Sequence, residues 1–270
     1  MTTARSLALL SLAALAACNS KVTSALDQDL QDKVNTVQDC FPSLYPHASD
    51  LLELTNSWRL NAGSSIPDPT GLTWSEQSGG SIDVTYVVRG TTISMTIVFY
   101  SPTGTAQDLN LTGATTLADA IDAAATELNT NFPSGDPFMV GDWTMSGGGI
   151  TGSGALTGII GGTGGGNELE EIRTTSATVS GGPPAVASGS ISDSGSPACT
   201  LTFETTGLIT DQTPGQEYPE GTVTISVVGP DATVNGTMTF DATSTASVAI
   251  DTINGTFDLD LDAFTVTYVP

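Results

Sequence analysis

The stretch TVTISVVGPDATVNGTMTFDATSTASVAIDTINGTFDLDLDAFTVTYV, residues 222–269, decides the fold. Its apolar side chains recur at every second position: Val223, Ile225 and Val227; Met238 and Phe240; Ala246, Val248 and Ile250; Phe257, Leu259 and Leu261. Thr, Ser and Asp stand between them. A period of two puts one set of side chains on a core face and the other in water, so this is the pattern of an antiparallel meander with one wet face. Phe264, Val266 and Tyr268 continue the alternation out of phase with Leu261, which predicts a bulge or tight turn near Asp262 and Ala263.

Working outward, the same period appears in Ile82, Val84, Tyr86 and Val88, and again in Ile93, Met95, Ile97 and Phe99. Arg89-Gly90-Thr91 lies between these runs, so the segment reads as a hairpin. At about 116–132 the period changes to helical: Leu117, Ala120, Ile121, Ala124, Leu128 and Phe132 share a face, Thr116 and Asp119 cap the start, and Pro133 stops it. Residues 141–166 are dominated by glycine, most densely over 147–166, and their pattern fits thin strands and a loop equally. Ser180–Pro197 and Asp211–Glu220 read as polar connections.

Toward the N-terminus, Leu26, Leu30, Val34 and Val37 follow helical spacing behind a capping-box-like Ser24 and Asp27. A second helix is expected between Pro46 and Gly63, with Leu51, Leu54, Thr55 and Trp58 on one face, and Pro42 and Pro46 separating the two. The expected fold is α+β and mainly antiparallel β. It consists of a large meander-type sheet, arranged as a sandwich or a partly open barrel, with two short N-terminal helices and one inserted helix. Residues 1–17 form a leader, 18–65 an anchor and the N-terminal helices, and 66–270 the β-rich domain. No fixed-period repeat is present, which disfavours a solenoid or propeller.

The charge balance narrows function. Twenty-nine acidic residues face six basic ones, a formal charge of −23, and no Lys or Arg follows Arg173. Nucleic-acid binding depends on clustered Lys and Arg neutralising phosphates, so that class is excluded, as is a basic patch for anionic lipid.

The first eighteen residues, MTTARSLALLSLAALAAC, place Arg5 before an apolar run from Leu7 to Ala17. The run is too short to span a bilayer and reads as a secretory signal. Leu15-Ala16-Ala17-Cys18 resembles the lipobox of bacterial lipoproteins. That resemblance implies cleavage before Cys18, a diacylglycerol on its thiol and a fatty acyl chain such as palmitate on the new amino terminus. Two or more chains make a stable membrane anchor. Asn19, in the position where Asp marks inner-membrane retention, implies outer-membrane or cell-surface placement. With Cys18 lipidated, Cys40 and Cys199 remain, and in an oxidising compartment a single pair is most simply a disulfide.

The chain carries little recognisable catalytic or metal-binding chemistry. His47 is the one histidine and sits at an expected helix start, where a surface or capping role outweighs a catalytic one. No GxSxG, HExxH, SxxK or GxxxxGK motif occurs, and no catalytic residue is assigned. Asp258, Asp260 and Asp262 are hard oxygen donors that would suit calcium, although the intervening leucines indicate a solvated strand face. Thr-x-Thr pairs fit β-propensity on a wet face, and Trp58, Trp74 and Trp143 fit core or rim positions. The expected function is therefore a lipid-anchored cell-envelope protein with a non-catalytic binding or structural role. It would be either an apolar-ligand carrier or an adhesion and surface module whose partner is a glycan or envelope protein. A cavity lined by Met95, Phe99, Leu128 and Phe240 would favour the carrier, and clustered outer carboxylates the module. The alternative is an exported polysaccharide hydrolase using a carboxylate pair. A transmembrane barrel is disfavoured by the Thr, Ser and Asp on the outward faces.

Overall fold

Among the described residues, twelve strands pair in one sheet in the order in which they occur in the chain, every neighbour antiparallel. The computed structural model describes residues 25–60, 68–159, 187–195, 197–205, 218 and 220–270. Ahead of the sheet stands α1 (Ala25–Leu60). The first strands are β1 (Leu72–Glu76), β2 (Ile82–Val88) and β3 (Thr91–Tyr100), then α2 (Leu117–Asn131), then β4 (Phe138–Gly147) and β5 (Ile150–Ile159). β6 (Ala187–Asp193), β7 (Cys199–Thr205), β8 (Glu220–Val228) and β9 (Thr233–Asp241) follow, and β10 (Thr245–Ile250), β11 (Thr256–Asp260) and β12 (Thr265–Val269) complete the sheet.

The sheet is rolled. In a flat sheet the eight intervals from β3 to β11 would span about 38 Å at about 4.8 Å per strand. Arg89, in the turn between β2 and β3, nevertheless lies 5.0 Å from the ring of Phe264, in the turn between β11 and β12. The two ends of the meander therefore approach each other, as in a partly open barrel, and α1 packs inside against β6, β7, β8, β9 and β12 and touches α2.

The expected pair of N-terminal helices is one continuous 36-residue helix that contains both prolines. Each proline removes a helical hydrogen bond, but Val37, Cys40, Phe41, Leu44, Tyr45, Ala48, Leu51 and Leu54 form an unbroken buried stripe at helical spacing. Burying that stripe within the rolled sheet outweighs the broken bonds. The stripe begins at Val34, and Leu30 is exposed. Ser24, Gly63 and the side chains of Leu26, Asp27, Thr55 and Trp58 lie outside the described residues.

Other expectations are met where they can be compared. Arg89 and Gly90 both have positive φ, 51° and 78°, the backbone of a two-residue hairpin turn. α2 starts with the expected capping box between Thr116 and Asp119. Leu261–Phe264 form the turn between β11 and β12, in the register Asp260↔Thr265, which accounts for the phase slip.

The glycine-rich stretch is strand as far as Ile159, with β4 and β5 turning at Gly148 and Gly149; Ile160–Gly166 lie outside the described residues. The glycines have a packing role. Trp143 is 1% exposed and stacks on Phe203 with centroids 6.2 Å apart. Its indole lies against Gly152 and Gly154 of β5 and Gly189 of β6: a Cβ at Gly154 or Gly189 would run into the ring, and one at Gly152 would press on the ring and run into the Ser190 carbonyl. Three missing side chains on neighbouring strands make a slot for one large aromatic.

Candidate functional site

The middle of α1 concentrates most of the unusual chemistry among the described residues. Cys40 forms the expected disulfide with Cys199 at the start of β7, with Cα atoms 5.6 Å apart. One to two turns further on, Tyr45 and Ala48 form one side of an apolar recess. The sheet supplies the rest: Leu201, Phe203 and Thr205 from β7, Val223 and Ile225 from β8, and Met238 and Phe240 from β9. Period-two alternation aims these strand residues inward, and the helix stripe meets them. The void is about 20 Å³ measured to the centres of water-sized spheres, room for one or two waters rather than for an extended ligand. Of the four residues whose cavity would favour a carrier, Phe240 lines this recess. Met95, Phe99 and Leu128 are packed into the core.

Beyond the recess lies a partly buried charge cluster. Asp50, 1% exposed, accepts a hydrogen bond from Arg89 Nε at 2.9 Å on its Oδ1. Its Oδ2 has no hydrogen-bond partner and stands 3.8 Å from His47 Nδ1. Thr91 Oγ1 is 3.4 Å from the same imidazole nitrogen. Arg89 also lies over the Phe264 ring, and Phe264 packs against Tyr45 with centroids 6.0 Å apart. The recess wall and the charge cluster thus share an aromatic contact.

Electrostatics follow from this burial. Desolvation raises the Asp50 carboxyl above the usual carboxylate range, against the hydrogen bond and charge of Arg89. Desolvation also holds His47 below the usual imidazole range, opposed by Asp50, supported by Arg89 and opposed by Asp193. Burial pushes the Tyr45 hydroxyl far up, so it stays neutral. The His47 arrangement differs from that of a base-activated nucleophile. In such a triad the two partners use opposite ring nitrogens, whereas here Thr91 and Asp50 both approach Nδ1, and Thr91 is 1% exposed.

The remaining expected site residues are separate from this centre. Cys18 and the leader lie outside the described residues. Asp258 is exposed on β11, opposite Ser247 and Thr267. Asp260 Oδ1 accepts the N–H groups of Asp262 and Ala263 at 2.9 and 2.8 Å and so caps the last turn. Both Asp262 oxygens accept from the Tyr218 hydroxyl, at 2.9 and 3.0 Å. Among the described residues no three His, Cys, Asp or Glu side chains converge as a metal site. Trp74 is half-buried on β1, and Trp143 is core.

No family model, curated protein or solved structure matches this chain.

The recess and the charge cluster are the features of the described residues that bear on function. Sequence reasoning missed the Asp50–Arg89 pair, since Arg89 reads only as a turn residue. One signal was present: Asp50 lies among the apolar positions of α1, where an acid needs a partner.

Proposed function

We propose that the protein is a lipid-anchored, exported envelope protein that binds an apolar ligand in the recess between α1 and strands β7–β9 and performs no catalysis. The observation that carries this reading is the recess itself, a void faced by apolar side chains beside a helix that fills the concavity of a rolled sheet. Buried polar groups fix a ligand's orientation only where they face the site. Here the charged cluster is spent on α1 and the hairpin turns, so the recess recognises shape and apolar surface. The anchor is the lipidated Cys18 implied by the lipobox. No described helix is long and apolar enough to cross a membrane.

The hydrolase alternative needs two carboxylates facing each other in a cleft, one of them protonated near neutral pH. Among the described residues three carboxyls are raised, mainly by burial: Asp50, Asp68 and Asp122. Asp50 faces Arg89 and His47 rather than a second carboxylate. Asp68 accepts the Leu117 N–H at 3.0 and 3.1 Å, and its neighbour Asp119 is tied into the capping box. These groups hold the start of α2. The surface-module version needs convergent outer carboxylates, and Asp260 and Asp262 are engaged in the last turn and with Tyr218.

The test is native mass spectrometry of the mature chain purified from an oxidising compartment. A co-purifying adduct of lipid or other hydrocarbon mass, lost when Phe203 or Met238 is replaced by a charged residue, is the expected result. A bare chain that also takes up no uncharged apolar fluorophore would overturn the reading.

A further inference from the structure

Besides its buried stripe, α1 has a covalent tie at Cys40 and a charged one at Asp50, ten residues apart, and the helix between them is weakened. Cys40 is covalently fixed to β7. Asp50 is held by Arg89 of the β2–β3 turn, whose guanidinium in turn lies over Phe264 of the β11–β12 turn. Pro42 and Pro46 stand in the interval. Neither has an N–H, so the carbonyls of Gln38 and Pro42 lose their helical donors and the backbone bends there more readily than elsewhere. The same interval carries Tyr45 and Ala48, the helix side of the recess. Tyr45 rests on Phe264, the ring that also carries Arg89.

We propose that α1 beyond Cys40 is a hinged lid over the apolar recess. Pro42 and Pro46 form the hinge, the disulfide is the fixed end, and the Asp50–Arg89–Phe264 contact is the latch. The closed state is held by the buried stripe of Leu44, Ala48, Leu51 and Leu54 together with the latch. Asp50 is almost fully buried, yet its Oδ2 has no hydrogen-bond partner, and a half-satisfied buried carboxylate adds only weakly to that closed form. The Arg89 side chain is 47% exposed, so water reaches the guanidinium and competes for it. Opening would give both Asp50 oxygens solvent and enlarge a void that is too small for a ligand when shut. The disulfide limits the swing to the part of α1 beyond Cys40. What the lid admits rests on the binding reading above; the motion does not.

Hydrogen exchange of the mature, disulfide-intact chain tests the motion. The main variant is Asp50→Asn with Arg89→Met, which removes both charges without stranding one. Amides of Tyr45–Leu54 are expected to exchange at least about tenfold faster than in the parent, while those of Val34–Cys40, β3 and β4 stay within about twofold. No regional change, or equal acceleration on both sides of Cys40, would overturn the lid. Phe264→Leu keeps the ion pair and removes only the ring. It should produce a smaller acceleration confined to the same region, and it decides the matter should the double variant fail to fold. The uncharged probe N-phenyl-1-naphthylamine separates lid from ligand. Faster uptake by the double variant is the expected result. Regional exchange without uptake would keep the lid and overturn the binding reading, whereas equal uptake without regional exchange would do the reverse.

Discussion

Replacing Gly189 by alanine adds one methyl group at the most tightly packed point of the inner face. An ideal Cβ there would lie 2.8 Å from Trp143 Cη2, closer still to Cζ2, and 2.9 Å from the Ser153 carbonyl oxygen. The indole cannot retreat, being 1% exposed and stacked on Phe203. Overpacking a full core costs about 1–3 kcal/mol, and a clash with a large ring against a backbone oxygen belongs at the upper end. Alanine recovers about 0.4–1 kcal/mol by restricting the unfolded chain. The expected net loss is therefore about 2–2.5 kcal/mol, read as a lower urea midpoint with unchanged slope. The cause is isolated by repeating Gly189→Ala in a Trp143→Leu background. There the two closest contacts are gone while the Ser153 contact stays, and the penalty should shrink to below about 1 kcal/mol, a coupling of more than about 1 kcal/mol. Additive losses in the two backgrounds would refute the claim that these glycines exist to seat Trp143.

Three further outcomes follow from the same structure. Replacing Cys40 and Cys199 together by alanine should cost about 3–5 kcal/mol in denaturant unfolding, because the bridge spans 159 residues of chain and loop-closure entropy grows with that length; a loss below about 1 kcal/mol would mean that α1 is seated by packing alone. For His47 the folded chain binds fewer protons than the unfolded one, since its imidazole is held low. Its contribution to stability is thus complete above the ordinary value of 6.5 and is lost as pH falls through it. Asp50, held high, acts oppositely: its burial cost applies above its folded value and is relieved as pH falls toward the ordinary carboxylate range. Between about pH 7.5 and 5.5 the parent should therefore lose more Tm than His47→Asn, and parallel melting curves would contradict the assignment. Thr116→Ala removes the hydroxyl that accepts the Asp119 N–H at 3.1 Å and should cost about 1 kcal/mol in the same urea assay.

Much of the architecture is local and so was legible in the chain. Alternation in β2, β3 and β8–β12 follows from which side of a pleat each residue faces, and the slip after Leu261 announced its turn. Thr116 and Asp119 marked the start of α2 by capping chemistry, which acts within four residues. The Cys40–Cys199 bridge followed from counting thiols in a chain read as exported, with Cys18 assigned to the lipobox. Other features depended on contacts that no local pattern encodes. Pro42 and Pro46 signal a helix break by themselves, yet a rolled sheet that buries the stripe from Val37 to Leu54 keeps α1 continuous, because the apolar area gained exceeds the two hydrogen bonds lost. Glycine 152, 154 and 189 look like flexibility in one dimension and become a slot only when β4, β5 and β6 lie side by side around Trp143. Arg89 reads as a turn residue until the sheet rolls and brings it onto Asp50 and Phe264, partners 39 and 175 positions away in the chain. The sequence by itself determined the strands, caps and turns, whose energies are set by near neighbours. The tertiary structure decided the closure, the buried charge and the recess, because each depends on surfaces that meet only when the meander curls around its helix.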